Sequence, residues 1–97
     1  MSEFVVTDNE AKKQYETIVN GQMGYLEYIP AGQNIILSHT EVPIGLEGQG
    51  IGSQLVGQVL ETIKSNNQKI IITCPFVAAY IKRHQEYLEL VFGYTPK

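Results

Sequence analysis

The sequence predicts a mixed α/β (α+β) domain: an antiparallel β-meander followed by a helix, a strand and a second helix. Three observations lead there. The N-terminal part carries short stretches of strand pattern separated by turn residues, with Asn20-Gly21 as the strongest hairpin signal. A glycine-rich run, Gly45, Gly48, Gly50 and Gly52, separates a β-branched stretch from a helix-periodic one. Then K-I-I-I-T-C, Lys69 to Cys74, runs directly into Pro75, which favours the first turn of a helix.

Taken in order, Phe4 to Thr7 reads as a short strand and Asp8-Asn9 as a turn. Lys13 to Val19 alternates, with Tyr15, Thr17 and Val19 on one side, as a half-buried strand does. Met23 to Ile29 is the return strand of the hairpin. Pro30-Ala31-Gly32 turns again, and Asn34 to Val42 is the next strand. A helix is expected from about Gly50 to Ser65, because Leu55, Val56, Val59, Leu60 and Ile63 share one face at a 3.6-residue period. Asn66-Asn67 ends it. Lys69 to Cys74 is continuously apolar apart from its ends and reads as a central strand. The second helix begins at Pro75, with Phe76, Val77, Tyr80, Ile81 and Leu88 facing inward.

The chain has 97 residues and an apolar fraction of 43%, which suits one domain over 1–97 with a single core. The formal net charge of −3 argues against a general nucleic-acid binder, which needs a basic footprint, and leaves a cationic substrate open. No run reaches the ~18 apolar residues of a membrane span. The start M-S-E-F-V-V lacks a basic segment followed by an apolar one, so no signal peptide is expected. The lone Cys74 forms no internal disulfide, which suits a reducing, cytoplasmic setting. One cysteine and two distant histidines do not make a metal site.

The glycine run carries the chemistry. Bare backbone there adopts φ > 0 at little steric cost, so that N–H groups converge on one point beside the positive end of a helix dipole. Strand, glycine loop and helix is the geometry of a phosphate or diphosphate cradle. A Walker A loop fits poorly, because no lysine precedes Ser53. The dinucleotide fingerprint fails too, since Leu55 stands where it needs a small residue. A plain flexible connection is the competing reading.

The run Glu47-Gly48-Gln49-Gly50-Ile51-Gly52 resembles the acetyl-CoA loop of the GNAT acyltransferases, Gln/Arg-x-x-Gly-x-Gly/Ala. Two further stretches extend the likeness: H-T-E-V-P, His39 to Pro43, and C-P-F-V-A-A-Y-I-K-R-H-Q-E-Y, Cys74 to Tyr87. Together they are similar to the small single-domain GNAT-like proteins, over most of the chain from about Gly21 onward. Two positions depart from the pattern. Glu47 replaces Gln or Arg, and Gln85 stands where the family has proline. The resemblance implies a minimal GNAT-like fold, without the helices that usually follow the first strand, for which Asp8 to Lys12 leaves no room. It implies acetyl-CoA as cosubstrate, bound by Val42, Gly48, Gln49, Gly50, Ile51, Gly52 and Ser53. It also implies an amine acceptor, a small molecule or a protein, whose identity the sequence does not give.

Acetyl transfer to an amine needs a donor for the thioester carbonyl, a base for the amine and a fixed geometry. His39 and Glu41, two apart on a strand, are candidate bases or a surface pair. Cys74, at the end of a strand and the start of a helix, is a candidate nucleophile, since a helix N-terminus favours a thiolate; a small core residue is the alternative. By resemblance Tyr80 is a candidate proton donor to the leaving thiolate; otherwise it is a pocket-wall aromatic. Three functions follow: an acetyl-CoA-dependent N-acetyltransferase, a non-catalytic acyl-CoA-binding module, or a DNA- or protein-binding scaffold with an unused glycine loop that binds no CoA.

Overall fold

The computed structural model describes residues 5–45 and 50–95. Strands β1 (Thr7–Asn9), β2 (Gln14–Val19), β3 (Gln22–Ala31) and β4 (Asn34–Glu41) are followed by helix α1 (Ile51–Ser65), β5 (Lys69–Ile72), helix α2 (Pro75–Arg83) and a 3-10 helix (Gln85–Leu90). The five strands form one sheet in the order β1-β2-β3-β4-β5. The first four pair antiparallel, and β5 joins β4 in parallel.

The β2–β3 hairpin closes at Asn20-Gly21, both with positive φ (54° and 77°), as a type I′ turn needs. Its register pairs Tyr15 with Leu26 and Thr17 with Gly24, so one face of the sheet is apolar. That face carries Tyr15, Leu26, Tyr28, Ile35, Leu37 and Ile70 into a single core. Helix α1 lays Leu55, Val56, Val59, Leu60 and Ile63 onto it, all 0% exposed. Each aliphatic side chain buried this way contributes about 1.5–3 kcal/mol. Helix α2 adds Val77, Tyr80 and Ile81 to the same core, so both helices cover one face. The opposite face has no helix among the described residues, and Ile18 and Ile29 stand 70% and 52% exposed on it.

Four boundaries differ from the sequence reading. The first strand is Thr7–Asn9, so Asp8-Asn9 is strand and not turn. Their side chains bond across the sheet: the Tyr28 hydroxyl donates to Asp8 (2.6 Å) and Asn9 Nδ2 donates to Glu16 (2.9 Å). The turn follows at residues 10–13 and closes on Lys13, at φ 57°. Pro30 lies inside β3, opposite Ile35, and the turn falls at residues 32–33. Strand β5 is not central but last in the sheet. It pairs in parallel beyond β4 because β3 already occupies the other edge of β4. Val91 bridges to Ile70 on the outer edge, and Phe92 N–H donates to the Ile70 carbonyl (2.8 Å). Finally, α2 stops at Arg83, because His84 takes φ −131° and ψ 73°. The chain breaks from the helix there without a proline. Leu88 therefore belongs to the 3-10 helix, while Phe76 is partly exposed rather than inward.

Candidate functional site

The site is built around a fork in the sheet. Strands β4 and β5 pair from Asn34↔Lys69 to Leu37↔Ile72. A last pair of contacts ties them, Thr73 N–H and Thr73 Oγ1 both donating to the Leu37 carbonyl (3.1 and 3.4 Å). Beyond it the chains part, β4 running on to Glu41 while the other chain turns into α2. From Ser38 onward the β5 side of β4 therefore has no strand partner among the described residues.

A β-bulge sits at the fork. The β3–β4 register shifts between Glu27 and Tyr28, leaving Ser38 unpaired, and its hydroxyl donates to the Glu27 carbonyl (3.2 Å). One extra residue changes the face on which every later side chain stands. Ile35 and Leu37 point into the core, but His39 and Glu41 pair with Glu27 and Tyr25 on the helix-free face. Thr40 takes the core side instead, opposite Leu26.

The candidate chemical groups thus separate onto the two faces of β4. On the helix-free face His39 Nε2 and Glu41 Oε1 are 2.9 Å apart, with side chains 52% and 53% exposed. The Tyr25 ring lies 6.3 Å from the His39 ring, centroid to centroid. With Nε2–H donating to Glu41, Nδ1 is the nitrogen left to accept a proton. On the helix side Cys74 is the residue that caps α2 and is only 3% exposed. Its sulfur lies 3.4 Å from the Thr40 hydroxyl. Cys74 and the His39–Glu41 pair flank the fork from opposite sides and do not touch.

Gly50 caps α1 in the left-handed region, at φ 78°. Its carbonyl accepts the first helical bond, from Gln54 N–H (2.9 Å). The N–H groups of Ile51, Gly52 and Ser53 precede that bond and have no intrahelical partner. No side chain caps this end, and no acidic residue lies in the first turn. A bare, uncapped N-terminus of a 15-residue helix fits an anion. Val42 links β4 to the loop and is half-buried. Gly48, Gln49 and Glu47 lie outside the described residues.

Gly52 serves a different purpose from the one its place in the motif suggests. It is helical and buried, and a Cβ there would sit 2.6 Å from Phe76 Cζ. The glycine lets the Phe76 ring lie directly on α1. The contact repeats one level along, where a Cβ on Gly57 would sit 2.7 Å from the Tyr80 hydroxyl. Gly50, Ser53, Gln54 and Gly57 on one side, with Tyr80 and His84 on the other, line an open groove of about 400 Å³ between the helices. His84 stacks on Tyr80 at 4.1 Å, and Tyr87 hydrogen-bonds Glu61 (2.6 Å) beside them. Burial, then the charges of Glu86 and Glu61, raise the Tyr80 phenol above its ordinary value.

The sequence reading did not reach Ser38, Thr40, Phe76's seat on Gly52, or the Gly57 notch. A serine inside a strand does not announce a bulge. The glycine at 57 was visible inside a helix pattern, where such a residue marks close packing.

Residues 14–90 match the model of the family described as GCN5-related N-acetyl-transferase. Protein NATD1 of Mus musculus is 30% identical over 89 residues, covering 87% of this chain and 81% of that protein. Protein NATD1 of Homo sapiens is likewise 30% identical, over 87% and 79% of the two chains. The solution structure of a GCN5-like protein from Staphylococcus aureus superposes with a TM-score of 0.70 at 26% identity, over 98% of this chain and 94% of that one.

Proposed function

The chain belongs to the GCN5-related N-acetyltransferase family, and on that premise we propose that it binds acetyl-CoA and transfers the acetyl group to an amine. The observation that carries this reading is the fork of β4 and β5 lying beside the uncapped N-terminus of α1. The loop backbone from Gly50 to Ser53 holds the diphosphate, with Gly48 and Gln49 expected to complete the cradle. The unpaired side of β4, from Ser38 to Val42, offers backbone groups to the pantetheine and the thioester carbonyl. When bound, acetyl-CoA supplies the activated acyl group.

The amine approaches from the helix-free face. Nδ1 of His39 accepts its proton, and Glu41 holds the ring by accepting from Nε2–H. The neutral nitrogen then attacks the carbonyl, the C–S bond breaks, and the second proton that the nitrogen must lose passes by way of solvent to the departing thiolate. A base positioned in this way contributes roughly 10²–10⁴-fold. The preassembled His39–Glu41 pair favours an enzyme over a passive acyl-CoA-binding module.

Cys74 carries a second reading, favoured by its place at the fork and at the start of α2. Its sulfur attacks the thioester carbonyl, the new S–C bond replaces the old one, and the thiol proton passes to the departing sulfur. The amine then takes the acetyl group and Cys74 regains a proton. Cys74→Ala separates the two routes. Retained turnover assigns direct transfer. Lost turnover with unchanged acetyl-CoA binding, and an acetyl mass increment on the wild-type protein, assigns the covalent route.

The first test is a titration with acetyl-CoA and with CoA, followed by backbone amide shifts. Large shifts at Val42 and from Gly50 to Ser53 support the reading. No shifts at millimolar ligand overturn it.

A further inference from the structure

The helix-free face holds a hollow of about 310 Å³ beside the proposed base, lined by Lys12, Lys13, Glu27, Ile29, Pro30 and Ser38. That volume suits a small molecule. The strand register fixes its place. Glu27 is the β3 partner of His39, on the same face. Ser38 is the bulged residue next to His39, and the pairing of β4 with β5 ends just before it. The end of the hollow at Glu27 and Ser38 therefore borders the mouth of the fork, where an amine has to stand to reach the thioester.

The hollow carries opposite charge along its length. Strand β2 begins with Gln14 opposite Glu27, so Lys12 and Lys13, which precede it, lie further along β3. The Lys13 carbonyl accepts from Tyr28 N–H (2.9 Å). The lysines thus stand toward Ile29 and Pro30, and Ile29 is about 7 Å of strand beyond Glu27. Neither lysine forms an ion pair among the described residues, and the Lys13 ammonium donates only to the Glu10 carbonyl (3.3 Å). The carboxylates of this face differ in the same respect. Glu16 accepts from the amides of Asn9 and Gln14 (2.9 and 2.7 Å), and Glu41 is bonded to His39. Glu27 has no side-chain partner among the described residues, and it is the one that lines the hollow. An uncommitted carboxylate at one end and two uncommitted ammonium groups at the other ask for a ligand of the reverse polarity. A second cation on the ligand would face the lysines.

We propose that the acceptor is a small zwitterion, an amine that also carries a carboxylate or phosphate, with its ammonium on Glu27 beside His39 and its anion on Lys12 and Lys13. The inference rests on the acetyl-transfer reading above and names its substrate class. Ile29 and Pro30 line the space between the two ends. The ammonium gives its first proton to His39, and transfer then follows as described. The new N–C bond leaves the nitrogen as an uncharged amide. Glu27 then loses its hold on the product, which keeps only the contact with the lysines.

The test is turnover of the whole chain, read as CoA released from saturating acetyl-CoA. The acceptors are the free amino acids, each against its carboxamide, and O-phosphoethanolamine against ethanolamine. At least one zwitterion should exceed its counterpart about tenfold or more in kcat/KM, and the pair that does so names the anion. Lys12→Gln combined with Lys13→Gln should lower that zwitterion's kcat/KM about tenfold, through KM and not kcat. Both lysines are exposed, so the fold should survive the change. Glu27→Gln should raise KM for both members of the pair, because both carry the amine. Acceptance of no zwitterion, or of none better than its counterpart, overturns the inference and leaves the acetyl-CoA reading standing. So does a lysine-bearing peptide that outperforms every zwitterion, or a margin that survives the loss of both lysines. Failure of the wild-type protein to bind acetyl-CoA overturns the reading beneath, and the inference with it.

Discussion

The sulfur of Cys74 and the hydroxyl of Thr40 meet at 3.4 Å across the gap where β4 and β5 part. Thr40 is there only because the bulge at Ser38 turned it to the core side. The contact joins the cap of α2 to the unpaired end of β4 and makes the fork a defined shape. Thr40→Val keeps the volume and removes the partner. It should lower the unfolding free energy by about 1 kcal/mol, read from the midpoint of urea denaturation. An unchanged midpoint would show that the contact does not hold the fork.

His39 should be the most sensitive position for turnover under the proposed function. His39→Gln removes the accepting nitrogen while leaving a polar side chain on an exposed surface. Acetyl transfer should fall about 10²-fold or more, with acetyl-CoA affinity unchanged. Glu41→Gln should fall less, because it acts through the ring. A His39→Gln protein with full turnover would remove the pair from the mechanism.

Gly52→Ala should destabilise the protein by about 1–3 kcal/mol, because its methyl group has to displace the Phe76 ring. The ring is 39% exposed and has room to move. Pairing the change with Phe76→Ala should therefore recover part of the loss, as a double-mutant cycle of thermal midpoints would show. Additive effects would mean that the two positions do not meet in solution.

Four tyrosines make the fold sensitive to alkali. Burial is the leading cause of the upward shift for Tyr15, Tyr28 and Tyr80, and the Tyr87 hydroxyl is held foremost by its bond to Glu61. The folded chain then keeps protons that the unfolded chain loses, so this stability is complete below pH 10.0 and falls as pH rises further. Each such tyrosine steepens the loss by up to about 1.4 kcal/mol per pH unit. Thermal midpoints should hold between neutral pH and about pH 9, then drop. Tyr28→Phe and Tyr87→Phe should each flatten the drop.

Much of this architecture was legible in the residues. Alternation in Lys13 to Val19, the Asn20-Gly21 turn and the helical period from Leu55 to Ile63 are local properties, and each element formed where its pattern stands. The strand, glycine loop and helix around Gly50 is equally local, since left-handed backbone at an uncapped helix start asks for glycine. These signals were enough to indicate the family resemblance. They were not enough where a residue's role depends on a partner far along the chain. Asp8 and Asn9 look like a turn until Tyr28 and Glu16 claim their side chains. K-I-I-I-T-C looks central until the pairing of β3 with β4 leaves it the outer place in the sheet.

The sequence by itself determined the meander, the helix–strand–helix that follows it and the glycine at the start of α1, because backbone preference and hydrophobic period act over a few residues. Only the tertiary structure decided which face of the sheet each candidate occupies. A single unpaired residue, Ser38, sends His39 and Glu41 to one side and Thr40 to the other, beside Cys74. A bulge is a property of two strands in register, and neither strand carries it alone.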